Sequence, residues 1–392
     1  MRGHKSAGQE HAEMQMALEA GGQLCPCFAG LHRLGLWRPQ TAGGGGAARW
    51  LRATLLAAAH LVLPVTLAIN FLSCRFDSLD LIATNIFLFF GMGGVSTKAL
   101  LFVLDRNRFD HLLVRLQQSR MHFADNSGAR ERCRKFATWL YHTQHVVVQL
   151  VVVLWVAQPT ATALLNGSAP ADGELPMPLC VPAHHVHLSP YFELFYAIQA
   201  LCLFVAVEGM VNLDASYLTL MLNIAAELEV LNNNLVSINY TKLLKNEKCS
   251  HSSDCYPLSP SNPAVEEDIY IQLVENIKHH QHIICRAREL ESVMSGPTFV
   301  HLFYSLVCIS LSIVSVTVLL QTDGNMQKIL KTIFVIAVFV SQLGFFCILG
   351  NNIIEQSEQL MMSAYSSRWP DADPRFKKTL LVFVLRALHP LH

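Results

Sequence analysis

Charge is scarce in this sequence. Asp, Glu, Lys and Arg make up 15% of its 392 residues while 52% are hydrophobic, against about 25% charge in an ordinary soluble protein. That balance excludes a soluble globular class and points to a chain solvated by lipid. Acidic and basic side chains are equal in number, 29 of each, and no Lys/Arg-dense tract forms an electrostatic footprint for nucleic acid, which is therefore not an expected partner. The first fifty residues lack a basic, then apolar, then small-residue pattern, so no cleaved leader is expected and the first span serves as the signal. The eleven cysteines, at 25, 27, 74, 133, 180, 202, 249, 255, 285, 308 and 347, form no paired framework. Most read as buried thiols.

Chemical motifs are missing as well. There is no GxSxG, HExxH, P-loop or kinase signature, and no acid or histidine pair at a spacing suited to general acid and base work. Neither an enzyme nor a cofactor is expected. The absence of a TVGYG filter and of an arginine ladder disfavours a potassium or voltage-gated channel, and the absence of matched Gly/Pro-broken helices disfavours a secondary transporter. His279, His280 and His282 have no spaced Cys/His partners, so a metal is not expected either.

What is present is a set of long apolar runs. Residues 53–72, 81–104, 136–158, 194–222, 298–322 and 332–354 each approach or exceed the roughly 20 residues that a helix needs to cross a bilayer. The fold class is therefore all-α and polytopic: a tail over residues 1–50, a membrane bundle over 51–354 and a C-terminal segment over 355–392. Leu31 to Trp37 reads as an interfacial amphipathic stretch with a tryptophan anchor. The connection from Asp105 to Lys135 carries eight Lys or Arg residues, whereas Pro159 to Phe192 carries none. This alternation puts the N-terminus and the segment after residue 354 in the cytoplasm. It also makes Asn166, in the sequon Asn-Gly-Ser, the expected glycosylation site and leaves Asn239 bare. Cys180 becomes a possible partner for Cys74, while Cys249 and Cys255 stay reduced in the cytoplasm.

Four features inside the spans carry chemistry. Lys98 lies close enough to the end of the second span to extend its amine toward the headgroups. Glu208 and Asp214 in the fourth span are costly intramembrane acids, to be read either as facing a cavity or partner or as lying near the cytoplasmic interface. Gly91, Gly93 and Gly94 form a small-residue surface for close helix packing. Phe89, Phe90, Trp155, Met210, Phe303 and Tyr304 are the expected contacts for a small apolar ligand, chosen by position and by contact area. For each alone, helix packing or lipid contact is the simpler account.

The order Gly350, Asn351, Glu355, Ser357, Glu358, Ala364-Tyr365-Ser366, Trp369, Phe376-Lys377-Lys378, Leu380-Leu381, Arg386 and Pro390 resembles the end of the sixth span and the following segment of insect odorant receptors. His280-Gln281 matches the pattern before the fifth span, and Asp214 an acidic position in the fourth. The resemblance implies seven helices with the N-terminus inside, in a plasma membrane such as that of the olfactory neuron dendrite. It implies a volatile odorant as ligand and assembly with a co-receptor subunit into a tetrameric, odorant-gated cation channel. Six of the seven expected helices are readable, and a chain ending at His392 leaves the seventh unfilled. A non-conducting truncated receptor is accordingly one alternative. A G-protein-coupled chemoreceptor is another, although the loop charges give the opposite orientation and no DRY-like step follows the third span.

Overall fold

The computed structural model describes residues 24–37, 46–73, 79–165, 175–177, 190–238, 263–322, 326–367 and 369–389. Among these, regular structure is helical throughout: α1 (Cys27–Leu34), α2 (Gly46–Ser73), α3 (Leu79–His122), α4 (Ala129–Leu165), α5 (Tyr191–Ser237), α6 (Pro263–Thr322), α7 (Met326–Tyr365) and, after a single 3-10 turn, α8 (Pro374–Ala387). Five helices, within α3 to α7, are long and apolar enough to cross a membrane, and Ala57–Ser73 of α2 forms a shorter apolar stretch. The protein is a multi-pass membrane protein. Asn166, Asn239, Cys74, Cys180, Cys249 and Cys255, on which the glycosylation and disulfide expectations rest, lie outside the described residues.

The helices outrun the apolar segments that announce them. At 1.5 Å per residue, the 44 residues of α3 reach about 66 Å, twice the hydrocarbon thickness. Most of the expected polar connection from Asp105 to Lys135 is therefore helix. Its physical reason is a stripe at Phe109, Leu112, Leu113 and Leu116, all buried, which repeats at the three- and four-residue spacing of one helix face. A short turn then leads into α4, where Asp125 accepts hydrogen bonds from the backbone N–H groups of Ser127 and Arg130, each at 2.9 Å. Likewise α6 runs without a break through Pro297, joining the polar stretch and the fifth apolar run into 60 residues.

Contacts divide the chain into two compact units, one drawn from Met1–His111, Ala137–Tyr217 and Ser292–Phe346, the other from Leu112–Phe136, Leu218–Glu291 and Cys347–His392. The first unit holds an aromatic core of Phe28, Trp37, Phe102, Phe109 and Tyr217, all buried, with Phe102 and Phe109 edge to face at 4.9 Å. Trp37 is thus no interfacial anchor: it is 2% exposed, and its indole N–H donates to Asp110 Oδ1. Gly30 of α1 lies so close to α5 that a Cβ there would stand 1.8 Å from Asn212 Oδ1. In the second unit, Phe376, Leu380, Phe383 and Ala387 form the buried face of α8, and Phe383 meets the His280 ring edge to face at 5.2 Å.

Candidate functional site

The first unit contains an apolar cavity of about 120 Å³. Four helices line it, each with residues spaced three or four apart. These are Phe87, Leu88, Gly91, Met92 and Val95 of α3; Val148, Val151, Val152 and Trp155 of α4; Leu203, Val207 and Met210 of α5; and Val335, Val338 and Phe339 of α7. Only Trp155 among the fifteen side chains bears a polar atom, and its N–H is turned away to donate to the Pro176 carbonyl at 3.0 Å. Lys331 Nζ stands 3.5 Å from the centre of the same indole ring, a cation–π contact, while donating to Gln158 Oε1 at 2.8 Å. A cavity of this size and lining resembles the roughly 150 Å³ apolar cavities that stay dry and accept benzene. It suits a compact apolar molecule.

Of the six residues chosen from sequence as ligand contacts, Trp155 and Met210 line the cavity. Phe89, Phe90, Phe303 and Tyr304 do not. They form a chain of ring contacts instead, Phe89 to Phe90 at 5.6 Å, Phe90 to Tyr304 at 6.1 Å and Phe303 to Tyr304 at 5.7 Å. Tyr304 lies over Gly94, where a Cβ would fall 2.6 Å from its ring. The glycine surface of α3 therefore accepts an aromatic side chain rather than a second backbone. Phe87, Leu88, Gly91, Met92, Leu203, Phe339 and the valines are the lining residues outside that choice of six. Their signal was present, since Val148, Val151 and Val152 share a helical stripe with Trp155.

Both intramembrane acids are engaged by protein groups. Asp214, 2% exposed, pairs with Lys98 Nζ at 2.6 Å, and that amine also lies 2.9 Å from His301 Nδ1. Lys98 does not extend to the headgroups. It is 3% exposed, because a carboxylate within reach repays a buried ammonium better than a long path to the interface. Glu208 receives Gln149 Nε2 and Asn212 Nδ2 and stands 3.0 Å from His145 Nε2. Neither acid lines the apolar space: Glu208 follows the lining Val207 on another face of α5, and Asp214 lies one turn beyond Met210.

The second unit is organised around Glu227, which is 1% exposed. Arg120 Nε donates to it at 3.0 Å, Arg130 donates through Nε at 2.9 Å and a terminal nitrogen at 2.7 Å, and His279 Nε2 lies at 3.1 Å. Arg120 also reaches Asn223, and Arg130 caps the carbonyls of Arg120 and Phe123. The Phe123 ring stacks on His279 at 4.2 Å. His279 thus serves a carboxylate, and among the described residues no group of three His, Cys, Asp or Glu side chains is arranged to hold a metal.

Comparison with known proteins gives these features a setting. In sequence, the chain is 24% identical to Odorant receptor 10 of Aedes albopictus over 217 residues, 55% of this chain and 52% of that one. It is 20% identical to Odorant receptor Or1 of Anopheles gambiae over 259 residues, 65% and 59% of the two. The alignments thus span a little over half the length of these relatives. In fold, the insect olfactory receptor OR5 from Machilis hrabei superposes with a TM-score of 0.70 at 15% identity, covering 92% of this chain and 89% of that one. Its complex with eugenol superposes at 0.68 with 14% identity, covering 98% and 89%. A family model described as 7tm Odorant receptor matches residues 78–392, and over that length the chain belongs to the odorant receptor family.

Proposed function

We propose that this chain is the odorant-binding subunit of a cation channel in the sensory perception of smell, assembled with a co-receptor subunit at the plasma membrane of an olfactory neuron. The carrying observation is the apolar cavity among α3, α4, α5 and α7, which in a member of this family offers a volatile molecule a preformed site. A solved relative of the same fold binds eugenol. In this reading α2 is the first of six spans, the N-terminus and residues 355–392 are cytoplasmic, and Asn166 carries a glycan. Trp155 and Met210 contact the odorant directly, while Phe89, Phe90, Phe303 and Tyr304 set the positions of α3 and α6 through their ring contacts.

The test fills the cavity. Val152→Trp adds an indole to a site with about 120 Å³ to spare, and should raise the half-maximal odorant dose at least tenfold in co-receptor-expressing cells while surface labelling is unchanged. Val152→Phe serves if the larger variant fails to reach the surface. An unaltered dose curve from a surface-expressed variant would move the ligand elsewhere.

A further inference from the structure

A second cavity, of about 20 Å³, shares three walls with the apolar one: Phe87, Trp155 and Val335. The rest of its lining has different chemistry, with hydroxyls from Thr84 of α3, Ser312 and Ser315 of α6 and Thr332 of α7. It is large enough for roughly one water-sized group. A hydrogen-bonding chamber therefore stands directly behind one that offers no hydrogen bonds.

The three shared walls are held differently. Trp155 is fixed by its bond to the Pro176 carbonyl and by Lys331 over its ring, and Val335 is a β-branched helical residue with one strongly preferred rotamer. Phe87 has ring contacts alone, tilted against Trp155 at 6.3 Å and edge-on to Phe339 at 6.2 Å. We propose that Phe87 is the partition that sets ligand class at this site, confining ligands to the apolar chamber and selecting compact hydrocarbons over longer oxygenated molecules. The inference rests on the cavity being the odorant site. A ligand hydroxyl on the apolar side finds no partner, and a desolvated, unpaired hydroxyl costs affinity. Behind the Phe87 ring it would meet Thr84 and Ser312.

Ethylbenzene and 2-phenylethanol are suitable probes, because they share a ring and a two-carbon arm and differ in the terminal hydroxyl. Equilibrium binding of each is measured on the full chain in lipid nanodiscs, and the ratio of the two affinities cancels their common partitioning. Phe87→Ala should shift that ratio toward the alcohol by about tenfold, equivalent to about 1.4 kcal/mol. Adding Thr84→Val and Ser312→Ala should return it toward the wild-type value. Phe87→Leu, a milder change, should shift the ratio in the same direction and stands in if the alanine variant does not fold. Saturable binding with an unchanged ratio, or a shift that survives removal of the hydroxyls, overturns the partition while leaving the cavity as the binding site. Failure of ethylbenzene to bind saturably to wild type, with neither probe binding the variants, overturns the cavity reading and the partition together.

Discussion

In the unit that holds the cavity, buried Asp214 meets a single ammonium, that of Lys98, whereas in the other unit buried Glu227 meets two guanidinium groups and an imidazole. One Asp214 oxygen, Oδ2, has no hydrogen-bond partner among the described residues, while both oxygens of Glu227 are used. The first arrangement ties α3 to α5 through one amine, with His301 of α6 beside it. The second draws α3, α4, α5 and α6 onto one carboxylate. A buried pair repays its desolvation only when its remaining lone pairs and protons are also satisfied, so the two acids differ more in what their loss would expose than in their depth.

The comparison is sharpest if each acid is taken away. Glu227→Ala leaves Arg120, Arg130 and His279 without their shared counter-charge, and a loss near the top of the roughly 3–5 kcal/mol range for broken buried pairs is expected. It would be read as a lowered thermal midpoint of the purified chain in detergent. Lys98→Met, which strands Asp214 alone, should cost about 3 kcal/mol, and the double variant Lys98→Met with Asp214→Leu should recover most of it, because an apolar pair of similar volume often replaces a buried ion pair at little cost. Equal losses from Glu227→Ala and Lys98→Met would break the comparison, as would a double variant no better than the single one.

The smallest effect concerns a half-buried counterpart in the second unit. Burial works against the charge of Asp125, yet the N–H of Arg130 and the hydroxyl and N–H of Ser127 hold its carboxyl below the usual carboxylate range. A depressed folded-state value contributes stability that is fully present above the unfolded value near 3.9 and lost as pH falls through the folded one. Asp125→Ala should therefore cost about 1 kcal/mol at neutral pH, as for loss of a helix cap. Its thermal midpoint should converge with that of wild type as the pH is lowered below about 4. A gap that persists undiminished in acid would assign the loss to packing rather than to charge.

The apolar runs were legible because lipid demands about 20 uninterrupted apolar residues of any helix that crosses it. Their ends were not, since a helix already formed extends wherever a further face can be buried, as at Leu112, Leu113 and Leu116. Lys98 was misread for a related reason: its counter-ion Asp214 lies 116 residues away, and nothing local distinguishes a paired lysine from one that reaches for headgroups. Glu227 lies outside every apolar run and in no motif, and Arg120 and Arg130 counted merely as loop charges for orientation. The cavity was half visible. Trp155 and Met210 were chosen for size and softness, but a span that is apolar all round does not declare which face meets a neighbour, so Phe90 and Tyr304 were as attractive as Phe87 and Phe339.

Valine makes up seven of the fifteen residues around the cavity, and that choice governs how the space behaves without an occupant. On a helix a valine side chain keeps essentially one rotamer, so these walls have almost no torsional freedom with which to swing inward and fill the gap. Long, unbranched side chains, of which the lining has only Met92 and Met210, instead reshape themselves around each guest and forfeit rotamer entropy every time. The hollow is thus a mould rather than a sponge, its outline set when the chain folds and not when a molecule arrives, and the ordering cost that a softer wall would impose on each encounter has already been met by folding.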